Sequence, residues 1–113
     1  MATNPKLYGI YLAKVGFFES SGFKIRPIII VSQPHGRFQA VMAIPVSTQP
    51  DRTDVDILLN DLAGTGLLKP SVARIHRLSA TASSQILEEI GVVNDKHQQA
   101  IRSGLLKLFE LHK

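Results

Sequence analysis

The 113-residue chain contains no cysteine, which excludes disulfide bonds and every metal site built on thiolates. Burial alone must hold its fold, as the reducing cytosol requires. No stretch approaches the roughly 20 apolar residues that span a bilayer, and Met1–Leu7 lacks the apolar region of a secretion signal. We therefore expect a cytoplasmic protein with no membrane segment.

Sequence motifs for metals, nucleotides and acyl transfer are missing as well. The four histidines are never three or four residues apart, and the chain contains no HExxH sequence. It also lacks the GxGxxG, GxxxxGK[ST] and GxSxG patterns. We therefore expect neither a metal site nor a cofactor.

Negative charge is in short supply. The formal net charge is +4 and the isoelectric point is near 9.7. A basic excess attracts phosphates and makes their binding sensitive to salt. Many small basic proteins bind no nucleic acid, so charge alone leaves both interpretations open.

The first half of the chain consists of strand-forming segments. β-Branched and aromatic residues predict strands over Leu7–Val15, Ile25–Ser32, Arg37–Ser47 and Asp54–Leu59. A loop is predicted over Gly16–Lys24, and the second and third strands are expected to form a hairpin. Because proline cannot donate a hydrogen bond to a ladder, we place Pro27 near the beginning of its strand.

The second half changes character twice. After a turn-rich connection, Ser71–Leu78 alternates as a strand that places Arg74 and His76 on one face. A loop over Ser79–Ser84 then leads to the apolar segment ILEEIGVV. From Asn94, the predicted N-cap, the period becomes helical, with an apolar stripe formed by Ile101, Leu105, Leu108 and Phe109.

These patterns predict one domain over residues 1–113, mainly β with a C-terminal helix. Five or six short strands at this spacing favour a small barrel or a strongly bent sheet over a βαβ fold, which needs helices between its strands.

A few polar side chains interrupt the apolar strands. Arg26 lies in the second strand, Ser47 ends the third, and Arg74 and His76 share a later one. Cleavage of RNA by its own 2′-hydroxyl needs a base, an acid, and cations or donors at the phosphate, and these four residues supply those types. Each also has a structural interpretation: a surface arginine that covers apolar area, a structural histidine, or a turn serine.

The order of motifs resembles the MazF/PemK toxins of bacterial toxin–antitoxin systems. The matching segments, in chain order, are Gly9-Ile10-Tyr11-Leu12, Lys24-Ile25-Arg26-Pro27, Ile44-Pro45-Val46-Ser47-Thr48-Gln49, GLLKPSVARIHRL and Ile90-Gly91. Together they extend from Tyr8 to Leu111.

The resemblance implies an SH3-like barrel that forms a homodimer and cleaves single-stranded RNA at short sequences. It places Arg26 and Ser47 at catalytic positions, Arg74 at a second basic position and a cognate antitoxin as protein partner. His76, two residues after Arg74, is the candidate for proton transfer. The predicted RNA-binding residues are their neighbours Lys24, Thr48, Gln49 and Arg77.

This chain departs from the family pattern at two places. The aspartate of the usual GDI sequence is missing, and His76 occupies a position that is often aspartate. From the resemblance as a whole, the leading hypothesis is a metal-independent endoribonuclease toxin. The alternatives are an inactive barrel that binds nucleic acid or protein, and a related toxin that inhibits a topoisomerase.

Overall fold

The computed structural model describes residues 5–16 and 22–110. Within these residues the chain forms seven strands and one α-helix: β1 (Gly9–Gly16), β2 (Phe23–Ile30), β3 (Val41–Ser47), β4 (Ile57–Leu59), β5 (Ser71–Ala73), β6 (Ser79–Thr81), β7 (Ile86–Val92) and α1 (Asp95–Phe109). Two 3₁₀ turns cover Ile75–Arg77 and Ser83–Gln85. The predicted mainly β fold with a C-terminal helix is confirmed, while most of the predicted Gly16–Lys24 loop lies outside the described residues.

All the strand pairs are antiparallel. The sheet runs β4-β5-β3-β2-β1-β7, and β6 pairs with β3 beside this path. β3 pairs with β2 along one edge and with both β6 and β5 along the other. The predicted β2–β3 hairpin is confirmed, and β3 is the strand around which the site is built.

The sheet buries apolar side chains on both of its faces. Ile29 and Ile44 belong to a core cluster covered by α1, whereas Ile28, Ile30 and Ala43 belong to a second cluster with Tyr11 and Ala13. Two register shifts interrupt the pairing of β1 with β7, and β-bulges of this kind locally increase the twist of a sheet. Burial on both faces explains why Ile28–Ile30 is continuously apolar rather than alternating.

Pro27 lies in the middle of β2, and not near its beginning as predicted. The strand starts earlier, at Phe23, and Pro27 pairs with Leu12 of β1. On the other edge, the ladder with β3 covers only Ile28–Ile30. The proline is tolerated because this ladder begins immediately after it.

Three further predicted boundaries were wrong. β3 begins at Val41 rather than Arg37, because Gly36 and Gln39 have positive φ angles in the preceding turn. β4 begins only at Ile57. The predicted loop over Ser79–Ser84 contains β6.

The predicted strand Ser71–Leu78 was also wrong after Ala73. Arg74 has φ −83° and ψ 75°, and the chain then turns through Ile75–Arg77. This turn sends Ile75 into the core, where it is fully buried. Arg74 and His76 therefore do not share one strand face.

α1 begins as predicted and closes one side of the sheet. The Asn94 side chain accepts a hydrogen bond from the His97 N–H at 3.0 Å, which confirms the N-cap. Ile101 is buried and Leu105 and Leu108 pack on the core, but Phe109, predicted in the stripe, is 55% exposed. No helix within residues 5–16 and 22–110 is long and apolar enough to cross a membrane.

Candidate active site

The candidate site begins where β2 and β3 stop pairing. Their ladder ends at Ile28 opposite Pro45, and beyond it β3 pairs with β5 on its other edge. Carried two residues further, the same register places Arg26 opposite Ser47 and on the same face of the sheet. We call the space between Arg26 and Ser47 the β2–β3 opening.

The two residues across this opening differ in their surroundings. Arg26 is exposed, and none of the described residues forms an ion pair or hydrogen bond with its guanidinium. Ser47 is half-buried, and its Oγ accepts the Gln49 N–H at 3.1 Å. Arg26 is therefore a cation that faces solvent, and the Ser47 hydroxyl keeps its own hydrogen available to donate.

Arg74 contacts the backbone on both sides of Ser47. Its guanidinium donates to the carbonyl oxygens of Asp51 and of Gln49, the latter at 2.7 Å, and lies 3.6 Å from the Asp51 carboxylate. Its backbone N–H donates to the Pro45 carbonyl at 2.9 Å. The residue is only 7% exposed. Arg74 thus holds the turn that follows Ser47.

That turn begins the loop of residues 48–56, and His76 holds the end of this loop through Asp56. The imidazole Nδ1 lies 2.9 Å from Oδ1 of Asp56, which also accepts the His76 backbone N–H at 3.2 Å. Oδ2 of Asp56 accepts the Thr53 N–H at 2.8 Å. Loop 48–56 is therefore fixed at both ends by the segment that carries Arg74 and His76.

Asp56 is a residue that the sequence analysis missed. Its side chain is fully buried. Burial raises the pKa of this carboxyl, but hydrogen bonds from the His76 side chain and from the backbone N–H groups of Thr53 and His76 outweigh it, so the pKa lies below its usual 3.8. An acid inside the apolar segment DVDILL was the signal that could have identified it.

His76 also borders a cleft of about 790 Å³, which we call the helix cleft. The cleft lies between Thr53–Val55 and one side of α1, where Ser103, Leu106, Lys107 and Leu108 contribute, together with Glu110 just after the helix. Arg26, Ser47 and Arg74 do not line it. The contacts of Arg74 lie on either side of Ser47, at Pro45 and at Gln49, whereas His76 borders a different part of the surface.

Three of the predicted RNA-binding residues adjoin Arg26 or Ser47 in the chain, and the fourth, Arg77, lies in the 3₁₀ turn. Lys24 is exposed on the same face of β2 as Arg26, and Thr48 and Gln49 are exposed in the turn after Ser47. Arg77 is half-buried in the 3₁₀ turn. In addition, residues 20–50, which include the whole β2–β3 hairpin, contain no aspartate or glutamate. This hairpin is suited to an anionic ligand.

His97, a buried histidine, has a structural place. His97 is 3% exposed, and its Nε2 accepts the Asp61 N–H at 3.2 Å. Burial, with help from the charge of Lys96, lowers its pKa below 6.5 and keeps the imidazole neutral. Within the described part of the chain, no three His, Asp or Glu side chains are grouped so that they can hold a metal ion.

Comparison with known proteins places this chain in a family. Residues 7–109 match the family described as PemK-like, MazF-like toxin of type II toxin-antitoxin system. No curated protein matches the chain. The chain therefore belongs to the PemK/MazF-like toxin family of type II toxin–antitoxin systems.

Solved structures show the same fold. One is the Mycobacterium tuberculosis toxin MazF-mt6, with TM-score 0.73 and 19% identity over 90% of this chain and 96% of that one. Another is an endoribonuclease in complex with its cognate antitoxin from a mycobacterial species, with TM-score 0.76 and 15% identity over 96% and 98% of the two chains. The mainly antiparallel sheet with one C-terminal helix is therefore a MazF-like fold.

Replacement of Asp56 by asparagine tests the anchor of loop 48–56. At pH 7 the loss of charge-assisted hydrogen bonds should lower the free energy of unfolding by about 1–3 kcal/mol. Because the folded-state pKa lies below 3.8, the carboxylate stabilises the wild type fully above that pH. This contribution disappears as pH falls through the lowered pKa, so the two proteins should converge in acid. Urea unfolding of both proteins at pH 7 and at a pH below the lowered pKa measures the difference between their free energies of unfolding.

Asp54→Asn is the matched control. Asp54 lies in the same loop but is 75% exposed, and its carboxylate pairs with Lys107 at 3.2 Å. An exposed pair contributes at most about 1 kcal/mol. Equal losses in the Asp54 and Asp56 variants, or a difference that persists in acid, contradict the proposed anchor.

Proposed function

We propose that this toxin is a metal-independent endoribonuclease that cleaves single-stranded RNA at short specific sequences, and that it does so at the β2–β3 opening. The observation that carries the proposal is an exposed arginine, Arg26, two residues beyond the end of the β2–β3 ladder, on a hairpin free of carboxylates. The register of that ladder, carried on, leads from Arg26 to Ser47. Membership of the toxin family and the fold shared with a solved endoribonuclease support it. The expected place of action is the cytoplasm.

The chemistry follows from the residue types at the opening. In the proposed reaction the 2′-hydroxyl of one nucleotide gives its proton to water and its oxygen bonds to the adjacent phosphorus, while the bond from phosphorus to the 5′-oxygen breaks and that oxygen takes a proton from water. The products are a 2′,3′-cyclic phosphate and a 5′-hydroxyl. Negative charge accumulates on the phosphoryl oxygens during this step. We assign Arg26 to stabilising that charge and the Ser47 hydroxyl to donating a hydrogen bond to it. Electrostatic stabilisation of this kind is commonly the largest contribution to catalysis.

In this proposal Arg74 and His76 have positioning roles, and not the catalytic roles predicted from the sequence. The donors of Arg74 that meet Gln49 and Asp51 are committed to the loop, so we assign it to positioning Ser47, Thr48 and Gln49. His76 contacts Asp56 at the other end of this loop. We assign it a positioning role too, in preference to the proton transfer predicted from sequence.

Two macromolecular partners accompany the proposal. Single-stranded mRNA is the substrate, and a cognate antitoxin is the regulator, as a solved structure of the same fold is a complex with its antitoxin. An acidic, disordered antitoxin tail that folds on binding suits the carboxylate-free hairpin. We also propose a homodimer, as the family resemblance implies.

One observation favours an inactive RNA-binding barrel as the second candidate. The sequence assigned two arginines to catalysis, Arg26 and Arg74. The guanidinium of Arg74 is buried against backbone carbonyls, so of these two described residues Arg26 alone is exposed to a ligand. A protein of this kind binds single-stranded RNA without cutting it. Cleavage assays separate the two functions.

Arg26→Ala tests the proposed enzyme. Wild-type protein should cleave mixed single-stranded RNA in EDTA, and the variant should lose about 100-fold or more of the rate because one charge-stabilising group is gone. Primer extension measures both the rate and the cleaved sequence. The variant should also fail to arrest growth when expressed.

Arg102→Ala provides the matched control, since Arg102 is exposed on α1 away from the opening. Its cleavage rate should equal that of the wild type. Intact RNA after incubation with folded wild-type protein in EDTA contradicts the proposed enzyme. Equal activity of the Arg26 variant removes this residue from the site.

His76→Asn separates positioning from proton transfer. The asparagine amide can occupy the place of Nδ1 and keep the contact with Asp56, but it cannot exchange a proton near neutral pH. The variant should therefore keep most of the cleavage rate and the wild-type pH profile, while His76→Ala loses activity together with loop stability. A loss of 100-fold or more in a stable asparagine variant, with an altered pH profile, instead supports proton transfer by His76.

A further inference from the structure

The turn between β2 and β3 presents an aromatic side chain to solvent. Phe38 is 68% exposed, although an aromatic ring ordinarily contributes to a core. Neither core cluster includes it. The guanidinium carbon of the neighbouring Arg37 lies 5.5 Å from the centre of the ring, in cation–π range. Arg37 and Phe38 together form what we call the turn platform.

The backbone beneath the turn platform is held in one conformation. His35 and Ala40 exchange two backbone hydrogen bonds of 2.9 Å, and Gly36 accepts from both the backbone and the side chain of Gln39. The Phe38 carbonyl accepts from the N–H and the hydroxyl of Ser83, at 3.3 and 3.2 Å. The ring is therefore displayed on a fixed support, which lowers the entropy lost when a ligand binds.

The backbone of the turn also departs from ordinary geometry. Gln39 has φ +49°, a left-handed conformation that is unfavourable for residues other than glycine. Such conformations persist where the surrounding structure enforces them, and they are common at binding sites. Here the conformation of Gln39 allows the tight turn that places Phe38 at its tip.

The charge around the turn platform indicates which ligand it fits. Residues 20–50 contain no carboxylate, and the neighbouring 3₁₀ turn Ser83–Gln85 is uncharged. An aromatic ring beside an arginine, in surroundings without negative charge, is the combination that stacks an unpaired nucleobase near its phosphate. An acidic partner would use only the arginine, and a neutral apolar partner would use only the aromatic ring.

We propose that the turn platform is a second RNA-binding subsite, at which Phe38 stacks on an unpaired base and Arg37 contacts an adjacent phosphate. The inference rests on the proposed function, since the same RNA strand occupies the β2–β3 opening. The two places lie at opposite ends of the β2–β3 hairpin. A rise of about 3.3 Å per residue separates them by on the order of 20–30 Å. The subsite therefore engages only an RNA that extends several nucleotides beyond the cleaved bond.

This length dependence gives the experiment. The probes are single-stranded RNAs of about 4 and about 16 nucleotides, the range of site sizes in single-strand-binding modules. Both are centred on the cleavage sequence and are 2′-O-methylated so that they cannot be cut. Fluorescence anisotropy measures their dissociation constants for wild type, Phe38→Ala and Phe38→Trp. Leu68→Ala is the control, because Leu68 is 98% exposed in a different loop.

Phe38→Ala should weaken binding of the long RNA by about fivefold or more and leave the short RNA unaffected. Phe38→Trp should restore the affinity, and Leu68→Ala should match the wild type. The chain contains no tryptophan, so the substituted residue is the sole indole reporter. Its fluorescence should be quenched by the long RNA and not by the short one.

The contradicting outcomes are distinct. If wild type cleaves RNA but Phe38→Ala binds both lengths normally, the subsite is wrong and the proposed function stands. If the variant weakens both lengths equally, Phe38 acts through the fold, and the subsite is again wrong. If wild type binds neither RNA and cuts none, both proposals fail. Altered sedimentation of Phe38→Ala without a change in RNA affinity assigns the ring to a protein contact instead.

Discussion

The buried guanidinium of Arg74 is the interaction on which the site depends. A charge removed from water must be compensated by hydrogen bonds, and Arg74 obtains them from the carbonyls of Gln49 and Asp51. Those carbonyls belong to the turn that begins at Ser47. The need to satisfy one buried cation thus fixes the turn that carries the candidate hydroxyl and its neighbours.

Asp56 and His76 complete this arrangement from the other end of the loop. The Asp56 carboxylate accepts from Thr53 in the loop and from His76 beyond β5, so two segments distant in sequence meet at one buried acid. Ile75, between Arg74 and His76, lies in the core beneath α1, and its Cδ1 approaches Gly104 closely enough to exclude a side chain there. The loop, the 3₁₀ turn and the helix consequently support one another, and a change in any of them should reach Ser47.

Much of the fold was predictable because its signals are local. The apolar runs of β1, β2 and β3, the helical period after Asn94 and the N-cap itself depend on neighbours in the sequence, and the structure confirms them. Ser71–Leu78 was misjudged because its alternation resembles a strand, while the partner that bends it, Asp56, lies about 20 residues earlier. Pro27 was placed near the beginning of its strand because a local pattern does not show strand pairing. The structure shows that β2 has no partner on its β3 edge at Pro27, so the strand can extend before the proline.

The residues of the candidate site could be selected from sequence in part for the same reason. Arg26 and Ser47 stand out in sequence as polar residues in apolar strands, and the register of the hairpin, carried two residues beyond its last pair, brings them opposite one another. The burial of Arg74 and the orientation of His76 toward the helix cleft follow from tertiary contacts that no local pattern encodes. Phe38 illustrates the converse case, because an aromatic residue in sequence is ordinarily assigned to the core and only the structure shows its exposure.

The central claim is that Arg26 and Ser47 contact one phosphate of the RNA. A double-mutant cycle on Arg26→Ala and Ser47→Ala, measured as affinity for an RNA that cannot be cleaved, tests it most directly. Two groups that share a phosphate should show a coupling free energy of about 0.5–3 kcal/mol. Losses that add to within about 0.5 kcal/mol mean that the two side chains act independently, and they contradict the account.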